Sequence, residues 1–379
     1  MSGRVYLDYN ATSVVRPEAE AAVLAALRLG GNASSVHGAG RAARAVVEEA
    51  REAVAALAGA RPQDVVFTSG GSEANALAIE SAVKAGAQRL IIGATEHASV
   101  LETAAASGAA VEIWPIEANG VADLGWLADR LRGWNAEDGQ PFVAVMAANN
   151  ETGVIQPVAE ISALVHEAGG WLHVDAVQAA GKIDIDAIPA DTLAISAHKI
   201  GGAQGSGALV VGCDVALTRR AFGGGQERGR RGGTENLSGI AGLGAAAVAV
   251  RERPEPDHAA WRDAAAKRLK AEAGVTVLGE GAPRLANTLC FATPGFASDL
   301  QVIALDLAGV MVSAGAACSS GKVKSSHVVE AMGRGDLGGC SLRVSGGWAT
   351  TEGDWSRFVE AWLQAHARQA SRTRSLVEA

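Results

Sequence analysis

Cysteine is scarce in this chain of 379 residues, which has only Cys213, Cys290, Cys318 and Cys340, widely spaced and without a CxxC pair. That scarcity excludes a disulfide framework or a zinc ribbon, gives no reason to expect a metal site, and indicates a reducing compartment. Long hydrophobic runs are also missing, because every apolar run is broken well before the ~20 residues that a membrane span needs. The N-terminal stretch has no apolar core of signal-peptide length. The sequence therefore predicts a soluble cytoplasmic protein with no membrane partner.

An excess of positive charge is missing as well, since the formal net charge is -8. One basic cluster around Arg228, Arg230 and Arg231 has no aromatic partners, which is a weak footprint for nucleic acid. We therefore expect no nucleic-acid partner. Internal repeats and low-complexity tracts are absent too, and the length suits one large domain with a smaller companion, which excludes a minimal binding module.

Short apolar, β-branched runs alternate with Ala-rich segments of helical period. The pattern begins with VVFTS (65–69), SEANALAIESAVKAG (72–86) and RLIIGAT (89–95). It continues through VEIWPI, DLGWLADRL, FVAVMAA, WLHVDA, TLAISA and ALVVG. This rhythm predicts an α/β fold in which a mostly parallel sheet is sandwiched by helices.

The pattern changes after about Gly242. A long charged helix is predicted over residues 258–273, shorter units follow, and an amphipathic terminal helix begins near Glu352. We expect a smaller α+β domain there, joined by the N-terminal segment. The predicted division is a large domain over residues 13–250 and a small domain formed by residues 1–12 and 251–379, which carries Cys318.

Reactive side chains follow three of the predicted strands. RLIIGAT leads into Glu96 and His97, WLHVDA carries Asp175, and TLAISA leads into His198 and Lys199. In open parallel sheets, ligands bind beyond the carboxyl ends of the strands. These side chains are therefore expected to share one site.

A fourth strand, VVFTS, leads into GGSEAN (70–75), where two glycines free the backbone and Ser72 is expected to cap the next helix. Such a helix start can bind a phosphate, although taken alone the pattern more often indicates a plain tight turn. A pyridoxal-phosphate enzyme needs a lysine for a Schiff base, a carboxylate opposite the pyridine nitrogen and a phosphate cradle. Lys199, Asp175 and the 70–72 turn supply one of each, and Gln178 can donate a hydrogen bond to the phenolic oxygen of pyridoxal 5'-phosphate.

Nine strings resemble the cysteine desulfurases in their order and spacing: YLDYNAT, TSGGSEAN, TEHASV, NNETG, HVDAVQ, SAHKIGG, GGGQERGRRGGTEN, AGAACSSG and SLRVS. That family is a class V aminotransferase branch of the fold type I pyridoxal-phosphate enzymes. The resemblance runs from about Tyr6 to Arg343, nearly the whole chain. It implies the large domain of a fold type I transferase with a smaller α+β C-terminal domain.

The resemblance also assigns roles to single residues. Lys199 would form the Schiff base and carry the proton to and from the substrate's α-carbon, and His97 would stack on the pyridine ring. Arg343 would bind the substrate carboxylate, and Asn150 would lie near that carboxylate and the phenolic oxygen. The phosphate contacts would come from four further residues, Gly71, Ser72, Ser196 and His198.

The glycine-rich loop GGGQERGRRGGT crosses a dimer interface in this family, and its threonine touches the partner's cofactor phosphate. Here that threonine is Thr234. The resemblance therefore implies an obligate homodimer with sites built from both subunits.

Cys318 distinguishes desulfuration from transamination, which needs no thiol. Its neighbours in SAGAACSSG are small or polar, offer little apolar burial and suit a side chain that must swing. The resemblance implies that L-cysteine is converted to L-alanine while Cys318 takes the sulfur as a persulfide. The sulfur would then pass to an acceptor or scaffold protein for iron–sulfur cluster assembly or thiolation.

Alternatives remain open at this stage. A selenocysteine lyase or another class V enzyme would share the fold, although the AGAAC setting of Cys318 disfavours an aminotransferase or a kynureninase-like hydrolase. A non-catalytic assembly protein is disfavoured because Lys199, Asp175, His97 and Cys318 are all present.

Overall fold

The computed structural model describes residues 3–212, 215–253, 255–315 and 325–377, with side chains up to residue 372. Cys213 and Cys318 lie outside the described residues. No helix in these ranges is long and apolar enough to cross a membrane.

Twelve strands are found in these ranges. They are β1 Val5–Tyr6, β2 Val65–Thr68, β3 Arg89–Gly93, β4 Ala110–Trp114, β5 Phe142–Met146, β6 Trp171–Asp175, β7 Thr192–Ser196, β8 Gly207–Val211, β9 Thr276–Val277, β10 Thr288–Ala292, β11 Val310–Met311 and β12 Ser341–Ser345.

Eleven α-helices are found in the same ranges. They are α1 Pro17–Leu29, α2 Gly38–Leu57, α3 Gly71–Lys84, α4 Ala98–Ala106, α5 Leu124–Arg132, α6 Val158–Glu167, α7 Leu237–Glu252, α8 His258–Ala273, α9 Ser298–Leu307, α10 His327–Ala331 and α11 Glu352–Val377.

The main sheet has seven strands in the order β2, β8, β7, β6, β5, β3, β4. Only β8 runs antiparallel to its neighbours β2 and β7, and the other pairs are parallel. The predicted α/β fold with a mostly parallel sheet is therefore confirmed.

Both faces of this sheet are buried, as β5 shows. Val143 and Val145 pack in one hydrophobic cluster with residues of α2, α6 and α7. Phe142 and Ala144, on the opposite face, pack in another cluster with residues of α3 and α4. A strand covered on both sides is apolar throughout, which explains why FVAVM reads as an unbroken hydrophobic run.

A second sheet is antiparallel and has the order β12, β10, β9. Its core is aromatic and packs Phe291 against Phe358 and Trp362 of α11. The short strand β1 pairs in parallel with β11, and Leu7 is fully buried in the same cluster. The N-terminal segment thus packs with the C-terminal part of the chain.

Candidate active site

Three of the predicted site residues lie where parallel strands of the main sheet end. Asp175 is the last residue of β6, Lys199 ends a 3₁₀ turn that directly follows β7, and His97 is the N-cap of α4 after β3. The electrostatic influence of Asp175 and Lys199 on the pKa of His97 reflects their closeness. The fold therefore brings together the three residues expected to share a site.

Lys199 points toward the N-terminal segment. Its Nζ donates to the backbone oxygens of Asn10, at 2.5 Å, and Ala11, at 2.9 Å. This position leaves the amine at the edge of the sheet, next to residues of the N-terminal segment.

Asp175 is buried, with 5% of its surface exposed. Its Oδ2 accepts from the Asn75 side-chain amide at 2.8 Å, and its Oδ1 accepts from the Val177 backbone N–H at 2.9 Å. Each carboxylate oxygen thus has a donor that fixes its direction.

His97 is held through one ring nitrogen. Its Nδ1 accepts from the Ser99 backbone N–H at 3.1 Å and lies 2.8 Å from the Ser99 hydroxyl. Burial lowers the pKa of His97, Asp175 opposes that shift, and Lys199 adds to it. The imidazole is therefore neutral near pH 7.

The start of α3 borders an open cleft of about 310 Å³. A Cβ on Gly71 would come within 2.6 Å of a Val177 methyl group, so only glycine fits there. Gly70 is the N-cap residue, with φ of 158°, and the helix begins at Gly71. The expectation that Ser72 caps this helix is therefore wrong, because Ser72 already lies inside its first turn.

Other residues around the cleft supply polar groups. Ser196 and His198 line it opposite the start of α3, together with Gln204, which the sequence patterns had not indicated. Burial and the nearby Lys199 lower the pKa of His198 to about 4, and its Nδ1 lies 3.2 Å from the Thr12 hydroxyl. A neutral imidazole and free backbone N–H groups at a helix start suit a phosphate.

Asn10 connects the N-terminal segment to the site, a role that the YLDYNAT string alone did not reveal. Its backbone oxygen accepts from Gln178 Nε2 at 2.8 Å, and its Oδ1 accepts from Lys182 Nζ at 3.1 Å. Its side-chain nitrogen donates to the backbone oxygen of Asn150 at 3.2 Å. These contacts could not be predicted from local sequence patterns, because each joins residues more than 130 positions apart in the chain.

Arg343 reaches the same region from β12. Its Nη2 pairs with Asp8 Oδ1 at 2.8 Å and its Nη1 donates to the Asn150 backbone oxygen at 3.1 Å. The guanidinium is 3% exposed, and its Nε has no hydrogen-bond partner among the described residues. An unpaired buried N–H donor favours an anionic ligand.

One predicted site residue, Thr234, is not joined to this group. Thr234 is exposed and lies in the loop after a 3₁₀ turn, Gln226–Gly229. That loop is anchored by Glu227, whose carboxylate accepts from both terminal nitrogens of Arg51 at 2.8 and 3.0 Å. The position of Cys318 is outside the described residues.

The chain is similar to a family model and to several known proteins. The model of the Aminotransferase class-V family matches residues 5–358. A cysteine desulfurase of Cereibacter sphaeroides is 41% identical over 346 residues, 87% of each chain. Among solved structures, a NifS-like protein from Rickettsia africae is 30% identical with a TM-score of 0.87, covering 96% of this chain and 99% of that chain. SspA in complex with cysteine is 27% identical with a TM-score of 0.77, covering 92% and 100%.

Proposed function

Since the chain belongs to the class-V aminotransferase family and is a cysteine desulfurase, we propose that it converts L-cysteine to L-alanine and places the sulfur on its own Cys318. The observation that carries this proposal is the convergence of Lys199, Asp175 and His97 at one edge of the main sheet. The cysteine bound in the related SspA structure supports the choice of substrate.

The cofactor of this reaction would be pyridoxal 5'-phosphate, and the residues fit it. The start of α3 with Gly71, Ser72, Ser196 and His198 would hold the phosphate, and Thr234 of a second subunit would complete that cradle. Asp175 would face the pyridine nitrogen and Lys199 would form the Schiff base. His97 would lie against the ring, and Gln178 and Asn150 would hold the phenolic oxygen.

When bound, pyridoxal phosphate withdraws electrons from the α-carbon of an amino acid attached to it. The chain's residues supply the proton movements and the orientation. Lys199 takes the α-proton on Nζ and returns it, and neutral His97 is suited to exchange a proton during carbon–sulfur cleavage. Arg343 binds the substrate carboxylate, and Asn150 lies beside it.

In the sulfur step, the Cys318 thiolate attacks the substrate sulfur. A sulfur–sulfur bond forms, the carbon–sulfur bond breaks, and its electron pair goes to carbon, which is protonated to give alanine. L-cysteine and one enzyme thiol thus become L-alanine and one enzyme persulfide, with no external oxidant needed.

A Cys318→Ala variant tests this assignment. It should still bind the cofactor, giving an unchanged absorbance, while persulfide formation is lost. The matched control is Cys290→Ala, because Cys290 is fully buried in β10 and burial raises the pKa of its thiol well above the usual value. Sulfur release that persists without Cys318 would overturn the assignment, and selenide release from selenocysteine alone would indicate a selenocysteine lyase.

A homodimer is also proposed, with active sites shared between subunits. Thr234 and Arg228 are exposed, and so are several large apolar side chains. Leu27 is 65% exposed, Val36 88% and Phe222 82%. Exposed apolar side chains of this size favour burial against a second copy.

The sulfur would then pass to an acceptor or scaffold protein for iron–sulfur cluster assembly or thiolation. We place the enzyme in the cytoplasm, because it has only four cysteines and no CxxC pair. We also propose the division into residues 13–250 and residues 1–12 with 251–379. The pairing of β1 with β11 supports the assignment of the first residues to the smaller domain.

A further inference from the structure

One buried amide contacts both Asp175 and the residue that holds His97. The side-chain nitrogen of Asn75, on α3, lies 2.8 Å from Asp175 Oδ2 and 3.0 Å from the Ser99 hydroxyl. Asn75 is 1% exposed. A side-chain amide has two N–H donors, so this nitrogen can donate to both neighbours at once.

The direction of these hydrogen bonds is fixed at Asp175. Its carboxylate oxygens only accept, so the Asn75 amide must turn its nitrogen toward Asp175 and its oxygen away. The oxygen then faces His173 Nε2 at 3.0 Å. That ring nitrogen must therefore carry the proton.

The chain of donors continues behind His173. Its Nδ1 lies 3.0 Å from the Thr192 hydroxyl, which accepts from Trp171 Nε1 at 3.1 Å. Burial lowers the pKa of His173 to about 4, so the ring is neutral and its Nδ1 is free to accept from Thr192. Every N–H or O–H in this network then has an acceptor, and the Asn75 amide has one for each of its two protons, which leaves a single consistent arrangement.

A second chain of hydrogen bonds leads from Asn75 through Ser99 to His97. Because the Ser99 hydroxyl accepts from Asn75, its own proton is directed to His97 Nδ1, 2.8 Å away. The Ser99 backbone N–H points to the same nitrogen. Nδ1 of neutral His97 is therefore unprotonated and the ring proton is on Nε2.

We propose that Asn75 is a positioning residue that sets Asp175 and His97 as one unit: it orients the carboxylate directly and, through Ser99, fixes the Nε2–H tautomer of His97. The rigid support comes from His173 and Thr192. This inference rests on the proposed function for the roles of Asp175 and His97, but the tautomer itself is a property of the chain.

An Asn75→Asp variant tests the proposal while keeping the size of the side chain. A carboxyl group has at most one proton and cannot donate to both Asp175 and Ser99, so one branch must be lost. Ring-nitrogen NMR of ¹⁵N-histidine-labelled enzyme, with and without bound pyridoxal phosphate, reads the tautomer directly. The His97 signals are assigned by their disappearance in His97→Gln.

The unmodified enzyme should give the Nε2–H pattern for His97 and His173. Asn75→Asp should move the His97 signals and lower kcat at least ~10-fold with a smaller change in KM, since groups that orient catalytic residues act on that scale. Ser81→Ala is the matched control: Ser81 is equally buried on α3 but bonds to Leu77 and Thr218, so its loss should leave the His97 signals in place.

Ser99→Ala provides the second test if Asn75→Asp does not fold. Removing the hydroxyl should move the His97 Nδ1 signal and leave the His173 signals unchanged. A proton on Nδ1 of His97 in the unmodified enzyme, or His97 signals that neither variant moves, would overturn the proposal. If the NMR pattern is as expected but no cofactor binds, the proposed function fails and this inference stands.

Discussion

Arg343 and Asp8 form an ion pair between the third residue of β12 and the segment after β1, with Nη2 and Oδ1 2.8 Å apart. The pair orients a guanidinium whose Nε is left without a partner among the described residues. Asp8 thus holds the arginine in place while one buried donor is left for a ligand.

Replacing Arg343 by Lys should raise KM for L-cysteine about 10- to 100-fold, because a charge-assisted hydrogen bond to a carboxylate is worth roughly 1.5–3 kcal/mol. Lysine keeps the charge but not the planar set of donors. Steady-state alanine production measures this. Asp8→Asn should give a smaller rise, and an unchanged KM in Arg343→Lys would exclude a role in carboxylate binding.

Lys199→Ala should abolish the Schiff base and lower kcat by about 10²- to 10⁴-fold, the usual contribution of a proton-transfer group. Borohydride reduction followed by peptide mapping detects the covalent bond. Lys182→Gln is the matched control. Lys182 also contacts Asn10, through the side-chain oxygen, and its Nζ donates to Gln178 Oε1. Cofactor trapped on Lys182 instead of Lys199 would contradict the assignment.

Mixing two inactive variants tests whether Thr234 acts in the partner's site. In a hybrid of Lys199→Ala and Thr234→Ala subunits, one site would carry both changes and the other neither. Activity should therefore return when the two variants are unfolded together and refolded. If Thr234 served its own subunit's site, each hybrid site would carry one change and no activity would return.

His173 gives the protein a specific sensitivity to acid. Its pKa is about 4 in the folded protein because the ring is buried, against 6.5 when exposed. Below pH 6.5 the unfolded chain binds a proton that the folded protein does not, so stability falls as the pH drops from 6.5 to 4. The loss amounts to roughly 3 kcal/mol.

Urea unfolding across that pH range measures this effect. His173→Gln should be less stable at pH 7, because the hydrogen bond to Asn75 or Thr192 is weakened, yet should lose less stability between pH 6.5 and 4. An equally steep acid loss in the variant would show that His173 is not the group responsible.

The local parts of this fold were predictable from sequence. The runs VVFTS and WLHVDA became β2 and β6, and the charged segment 258–273 became α8 with the same bounds. Burial and helix propensity determine these elements, and both can be recognised from the pattern of neighbouring residues in the sequence. The reactive residues at the strand ends followed from the rule for parallel sheets.

The connections between distant residues were not predictable in this way. Asn75 lies inside a helix pattern, and nothing in SEANALAI distinguishes it from a solvated polar residue. Its role depends on His173, 98 positions away, and Asp175, 100 positions away. Strand β1 is two residues long and finds its partner some 300 positions later, so no periodicity could indicate it.

Mass spectrometry of the enzyme after a single turnover with L-cysteine tests the proposed chemistry most directly. One equivalent of L-alanine should form, and the peptide that contains Cys318 should gain the mass of one sulfur atom, which a reductant removes. The Lys199→Ala variant should give neither product. Alanine formation with the extra sulfur on another cysteine, or with none on the protein, would contradict Cys318 as the sulfur carrier.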